Sequence, residues 1–198
     1  MLTICVQAGG ESRRMGQDKA MLPFLGQPLI QRVMDRVAPL ADEILVTTNN
    51  PEAYGFLGVP LLADTLPGRG ALGGLYTALR AASNAEVVVI ACDMPFINPD
   101  LLLSELDLLH SSGSDLVIPQ LEGGLEPFHA VYRKESCLPE IEWALAADKW
   151  RVDSWFSRVR VYRMPEEEIR KLDPHLRSFW NINTPEELDQ AIRAASGE

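Results

Sequence analysis

A chain of 198 residues, 46% hydrophobic and 23% charged, carries enough apolar material for one well-filled core, which excludes an intrinsically disordered protein. A formal net charge of −10 argues against non-specific binding to nucleic acid or to an anionic membrane, so an anionic ligand must be held by local features. Three widely spaced cysteines, Cys5, Cys92 and Cys137, fit neither a disulfide framework nor a zinc cluster and read as reduced core residues.

The first apolar run, LTICVQA, predicts a buried strand. It has no basic residues before it and reaches Gly-Gly too soon for a signal peptide or a membrane span, so the cytoplasm is the expected compartment. The loop AGGESRRMG follows. Gly9 and Gly10 let the backbone approach a ligand and turn amide N–H groups toward phosphate oxygens, while Arg13, Arg14 and Lys19 add positive charge. The spacing is neither G-x-G-x-x-G nor G-x-x-x-x-G-K-[ST], which removes the main support for a dinucleotide-redox or P-loop site. A plain Gly-Gly turn with solvated arginines stays open as the other reading.

A helix is expected over PLIQRVMDRVAPL, then strands over EILVTT and VPLLA. Asn49 and Asp64 stand just past these two strands, where contact with a base or ribose and ordinary turn duty are both open. PGRGALGGLYTAL runs from a glycine-rich loop into a helix whose N-terminus suits an anion, with Arg69 beside it. After the strand EVVVIAC, Asp93 sits at the carboxyl edge and Met94-Pro95 end the strand. A carboxylate there suits Mg²⁺, which takes one or two carboxylates plus phosphate oxygens and water. The next helix has its own start at Asn98-Pro99, which weakens a capping role for Asp93.

The second half is less regular. DLVIPQ, EPFHAVYRK and VRVYRM read as strands, ESCLPEIEWALAA and DSWFSRV as helical, and PEEEIRKLD as a solvated acidic helix. Asn181 and Asn183 precede a final helix marked by Thr184, Pro185 and Glu187 in capping-box spacing. His110, His129 and His175 lack metal-ligand spacing and read as packing or surface residues, and the four tryptophans read chiefly as core. The alternation predicts an α/β fold: a single-domain, doubly wound, mostly parallel sheet with helices on both faces and ligands at the carboxyl ends of the strands.

Together AGGESRRMGQDKAML, ALGGLYTAL, ACDMPF and NINTPEEL resemble the molybdenum cofactor guanylyltransferases, the MobA-type nucleotidyltransferases, over nearly the whole chain. The resemblance implies a Rossmann-like nucleotidyltransferase fold and transfer of GMP from GTP to the terminal phosphate of molybdopterin or Mo-molybdopterin, releasing pyrophosphate. It further implies residues 1–100 as mainly the nucleotide-binding half and 101–198 as mainly the acceptor-binding half of one domain. By position, Ala8, Gly9 and Gly10 would lie along the nucleotide, Lys19 at its phosphates with Arg13 or Arg14 assisting, and Asn49 and Asp64 at the guanosine. Asp93 would bind Mg²⁺, Asn181 and Asn183 would reach the ligand, and His129 lies in the segment that approaches the pterin. Other cofactor-biosynthesis proteins and recipient molybdoenzymes are the implied protein partners. One departure is visible, because the family usually reads Leu-Ala-Gly-Gly where this chain has Gln7-Ala8-Gly9-Gly10. Gln7 either offers an amide to the guanine edge or is simply tolerated. Related cytidylyltransferases read Ala-Ala-Gly at this turn, so Gly9 favours the guanylyl branch. A CTP- or sugar-phosphate-using transferase and a non-catalytic nucleotide-binding protein of the same fold are the alternatives.

Overall fold

The computed structural model describes residues 1–9 and 18–197. Strand β1 (Leu2–Gln7) is an inner strand of the main sheet. Its side chains alternate between two cores, Ile4 and Val6 on one face and Cys5 on the other. That two-sided burial is why its sequence is almost continuously apolar. A small hairpin, β2 (Pro23–Phe24) with β3 (Gln27–Pro28), leads into α1 (Leu29–Val37). There follow β4 (Glu43–Thr47), the short α2 (Pro51–Tyr54), β5 (Leu61–Leu62), α3 (Gly70–Ala81) and β6 (Glu86–Ala91). The rest of the chain supplies α4 (Pro99–Ser111), β7 (Leu116–Leu121), β8 (Gly124–Leu125), β9 (His129–Arg133), α5 (Lys134–Ala146), β10 (Val161–Pro165), α6 (Glu166–Ile169) and α7 (Pro185–Ala195).

The sheet runs β10-β7-β9-β6-β1-β4-β5, with β8 paired to β7. Pairings of β1 with β4 and β6, of β4 with β5, and of β10 with β7 are parallel. Within the described part of this sheet, only β9, antiparallel to both β6 and β7, and the β7–β8 hairpin break the pattern. Helices α1 and α4 bury Ile30, Val33, Leu101 and Leu102 on one face. On the other, α3 and α5 bury Leu72, Leu75, Leu79 and Ile141. The fold is therefore the expected mostly parallel sheet layered between helices.

Helix α7 packs apart from both layers, its Ala191 and Ala195 against Phe24, Leu29, Phe96 and Ile182. The amide of Ile182 donates to the carbonyl of Asp93 at 3.0 Å, stitching the segment before α7 to the end of β6. Thr184 caps α7 with Glu187 in a complete capping box, as the spacing predicts.

Three expected elements are corrected. VPLLA contributes two strand residues, Leu61 and Leu62, because β5 is an outer strand that meets only the end of β4. DSWFSRV forms a single 3-10 turn, Phe156–Arg158, since Trp155 and Phe156 are both needed in the core and meet edge-on there. PEEEIRKLD is helical only over Glu166–Ile169: Ile169 and Asp173 are buried, and the Asp173 carboxylate accepts from the amides of Arg177 and Ser178. Helix α3 starts at Gly70, whose φ of +57° is a conformation that glycine adopts without strain.

Candidate functional site

A cleft of about 620 Å³ opens across the carboxyl ends of β1, β4 and β6, the place where doubly wound sheets hold ligands. Gln7, Ala8 and Gly9 extend from β1 along its floor. The Ala8 amide donates to the Thr47 carbonyl at 2.8 Å, and the Cys92 amide donates to the Gln7 carbonyl at 3.1 Å, so three strand ends are pinned side by side. All the lining residues except Phe128 come from the first hundred positions.

Lys19 and Asp93, distant in sequence, meet in this cleft with Nζ and Oδ2 3.8 Å apart. The Lys19 ammonium also donates to Asn183 Oδ1 at 2.6 Å. Burial pushes the Asp93 carboxyl above its ordinary range, against the opposing pull of Lys19. Its charge is thus incompletely compensated inside the protein. Among the described residues no group of three or more metal-ligating side chains exists. An under-compensated carboxylate at a cleft suits Mg²⁺, whose other ligands would be phosphate oxygens and water.

Asn49 and Asp64 face each other at the other end, where Asn49 Nδ2 donates to Asp64 Oδ2 at 3.2 Å and Oδ1 accepts from the Asp64 amide at 3.3 Å. Both line the cleft, as do Gly68, Gly70, Ala71 and Gly74 around the start of α3. Arg69 does not point there. Its guanidinium bonds the carboxylate of Asp148 and lies 5.2 Å from the Trp150 ring, because the loop that presents Gly68 and Gly70 turns that side chain toward α5. Asn183 reaches the site through Lys19, whereas Asn181 is not a lining residue and supplies its carbonyl to Asn183 Nδ2 at 3.4 Å. Gly10, Arg13 and Arg14 lie outside the described residues.

His129 is fully buried and does not line the cleft. Its Nδ1 stands 3.1 Å from Glu105 Oε1 of α4, and its ring lies 4.6 Å from that of Phe179. Burial raises the Glu105 carboxyl, partly offset by His129. The neighbouring Phe128 takes the cleft position instead. Among the tryptophans, Trp155 is core and Trp180 packs on Phe96 at 5.4 Å, while Trp143 and Trp150 are partly exposed.

Asp18 is a cleft residue that sequence reasoning missed. It caps the Lys19–Met21 turn by accepting from the Ala20 amide at 3.2 Å, and its other oxygen accepts from the Tyr54 hydroxyl. The signal was available, since an aspartate directly before a short helical turn is a preferred cap. Held this way, Asp18 fixes the turn that aims Lys19.

A family model described as "MobA-like NTP transferase domain" matches residues 4–160. The chain is 38% identical to a "Probable molybdenum cofactor guanylyltransferase" of Peptoclostridium acidaminophilum, covering 98% of this chain and 89% of the relative. It is 35% identical to the "Molybdenum cofactor guanylyltransferase" of Desulfosudis oleivorans, covering 98% and 95%. Among solved structures it superimposes on the molybdopterin-guanine dinucleotide biosynthesis protein A of Archaeoglobus fulgidus with a TM-score of 0.85, at 29% identity over 99% of this chain and all of that one.

Proposed function

Because the chain belongs to the MobA-like NTP transferase family, we propose that it transfers GMP from GTP to the terminal phosphate of molybdopterin or its molybdenum-loaded form, giving the guanine dinucleotide and pyrophosphate. The observation that carries this reading is the meeting of Lys19 and Asp93 in one cleft with the ends of β1, β4 and β6. A triphosphate needs a cation and a metal-binding acid at the same point, and the two come from segments that only the fold brings together.

In the proposed reaction a phosphate oxygen of molybdopterin attacks the α-phosphorus of GTP in line, a new P–O bond forms, and the bond to the leaving pyrophosphate breaks. The nucleophile is already anionic near neutral pH, so no strong general base is needed. Lys19 neutralises charge developing on the phosphates, and Asn183 holds its ammonium. The Ala8 and Gly9 backbone lies along the nucleotide, with Gly10, Arg13 and Arg14 assigned by sequence alone to the same anion. Asp93, ionised, would hold Mg²⁺, and the ion would supply neutralisation and polarisation of the phosphate oxygens. Asn49 and Asp64 take the guanosine end, and their mutual hydrogen bonds keep both side chains in place before the ligand arrives. Residues 1–100 then serve mainly the nucleotide and residues 101–198 mainly the acceptor, which enters from the Phe128 side. We place the reaction in the cytoplasm; no helix among the described residues is long and apolar enough to cross a membrane.

The test is pyrophosphate release from each NTP with Mg²⁺, with and without molybdopterin. Release from GTP that depends on molybdopterin is the expected result. Release from CTP, or with a sugar phosphate as acceptor, would point to another transferase, and binding without release to a non-catalytic protein.

A further inference from the structure

The hydroxyl of Tyr54 is a polar group set in apolar core, and its partner belongs to the cleft. Tyr54 ends α2, is fully buried, and shares with Val6 and Ala20 the core on the α1 side of the sheet. A phenyl ring would fill that core as well, without the cost of burying a hydroxyl, a cost that only a hydrogen bond offsets. The hydroxyl donates to Oδ2 of Asp18. Burial and the nearby Asp18 carboxylate push the phenol well above its ordinary range, so it stays a donor at every physiological pH.

Asp18 carries the root of Lys19. The turn Lys19–Met21 closes through the Met21 amide on the Asp18 carbonyl at 3.0 Å and the Leu22 amide on the Lys19 carbonyl at 3.1 Å. So short a turn keeps its shape through its cap. That cap, Asp18 Oδ1 on the Ala20 amide, is oriented by the oxygen that Tyr54 holds. Beyond the turn the lysine side chain is a flexible stem. Asn183 fixes its far end at 2.6 Å, and the Asp18–Tyr54 pair fixes its near end. Asp18 also lines the cleft, so a hydroxyl bonded to its Oδ2 softens the negative charge that phosphates would meet there.

We infer that Tyr54 is a positioning residue for the phosphate-binding cation: its hydroxyl, acting through Asp18, holds the turn from which Lys19 reaches the phosphates. This rests on Lys19 meeting the phosphates in the proposed reaction, and not on which base or acceptor is used.

The test is equilibrium binding of inorganic pyrophosphate with Mg²⁺, together with kcat and KM for GMP transfer. Tyr54→Phe keeps the ring in the core and removes only the donor. Its pyrophosphate dissociation constant is expected to rise about fivefold, the worth of one hydrogen bond, and kcat to fall by about as much with KM for molybdopterin unchanged. Added to Lys19→Ala, Tyr54→Phe should weaken binding no further, because a residue acting through Lys19 has nothing left to position. A hydroxyl that served packing alone would lower the melting temperature and leave binding and kcat at wild-type values, and that outcome overturns the inference. So does the same loss of binding in the Lys19→Ala background. The expected pattern in a protein that releases pyrophosphate from CTP and not from GTP upholds the inference and overturns the guanylyl reading. A wild type that binds pyrophosphate no better than Lys19→Ala does overturns the phosphate role of Lys19 and the inference with it.

Discussion

The Lys19 ammonium donates across 2.6 Å to the side-chain oxygen of Asn183, a residue 164 positions away, so the first crossover and the segment before the last helix share one site. The Asp93 carboxylate stands 3.8 Å from the same nitrogen. Removing that ammonium takes away the charge that the proposed reaction directs at the phosphates without emptying the core, because Lys19 lies at the cleft surface. Lys19→Ala is expected to slow GMP transfer by about 10²–10³-fold, the usual loss for one preorganised electrostatic group. Thermal melting should hardly change. Wild-type turnover in this variant would remove Lys19 from the chemistry.

Asp93 links function to an internal cost. Burial raises its carboxyl above the ordinary 3.8, so at neutral pH the folded protein holds a charge less comfortably than the unfolded chain does. For a raised carboxyl the folded state binds the proton more tightly, so the contribution to stability is full below pH 3.8 and is lost as pH rises through the folded value. Asp93→Asn should therefore melt higher than wild type at pH 7 without ligand, with the gain vanishing in acid. The same variant should lose Mg²⁺-dependent transfer. Calorimetry at several pH values, paired with magnesium titrations of activity, checks both halves. A variant that melts lower at pH 7 would contradict the burial argument.

Much of this architecture was legible because local and global demands agree. The runs that became β1, β4 and β6 are apolar on both sides because helices cover both faces, and Thr184-Pro185-Glu187 announced α7 through capping chemistry that needs no distant partner. Asp93, Asn49 and Asp64 stand just past strand ends, which drew attention to them, but position left turn duty open for Asn49 and Asp64, and the family resemblance supplied the roles, that of Lys19 included. What stayed hidden depends on pairing at long range. The reversal of β9 between β6 and β7 leaves no local trace in HAVYR, yet it buries His129 against Glu105 and hands the cleft to Phe128. Arg69 looked like an anion contact until the fold set Asp148 and Trp150 beside it.

The capping box of α7 reaches further than its helix. Glu187 Oε2 accepts from the Thr184 amide at 3.0 Å and from the Asn183 amide at 2.6 Å, so one carboxylate both ends the helix and pins the residue that holds Lys19. Glu187→Ala is expected to cost about 1 kcal/mol, the usual worth of a cap. That corresponds to a fall of about 2–4 °C in melting temperature for a chain of this size. It should also lower kcat, because a freed Asn183 no longer fixes the ammonium. Glu187→Gln retains an acceptor and should restore much of both. A stability loss with unchanged kcat would confine Glu187 to helix capping.

Asp115 offers the opposite case, a carboxylate that serves the fold and not the cleft. It stands at the amino-terminal edge of β7, and its oxygens accept from Arg160 Nε at 3.1 Å, from Arg160 Nη2 at 3.0 Å and from the Arg160 amide at 3.0 Å. These bonds join β7 to its edge partner β10 and hold the carboxyl down at about 2. The sign is that of a depressed acid: its stabilisation is complete above about pH 4, where the unfolded chain is also ionised, and is lost as pH falls through about 2. Most of the Arg160 side chain faces solvent, which limits the gain. Asp115→Asn is expected to cost about 1–2 kcal/mol at neutral pH and to flatten the acid limb of the stability curve between pH 4 and 2. GMP transfer should be unaffected, since the bridge lies at the end of the sheet opposite the cleft. Urea melts across that pH range check the prediction, and an acid limb identical to that of wild type would assign the loss of stability to other carboxylates.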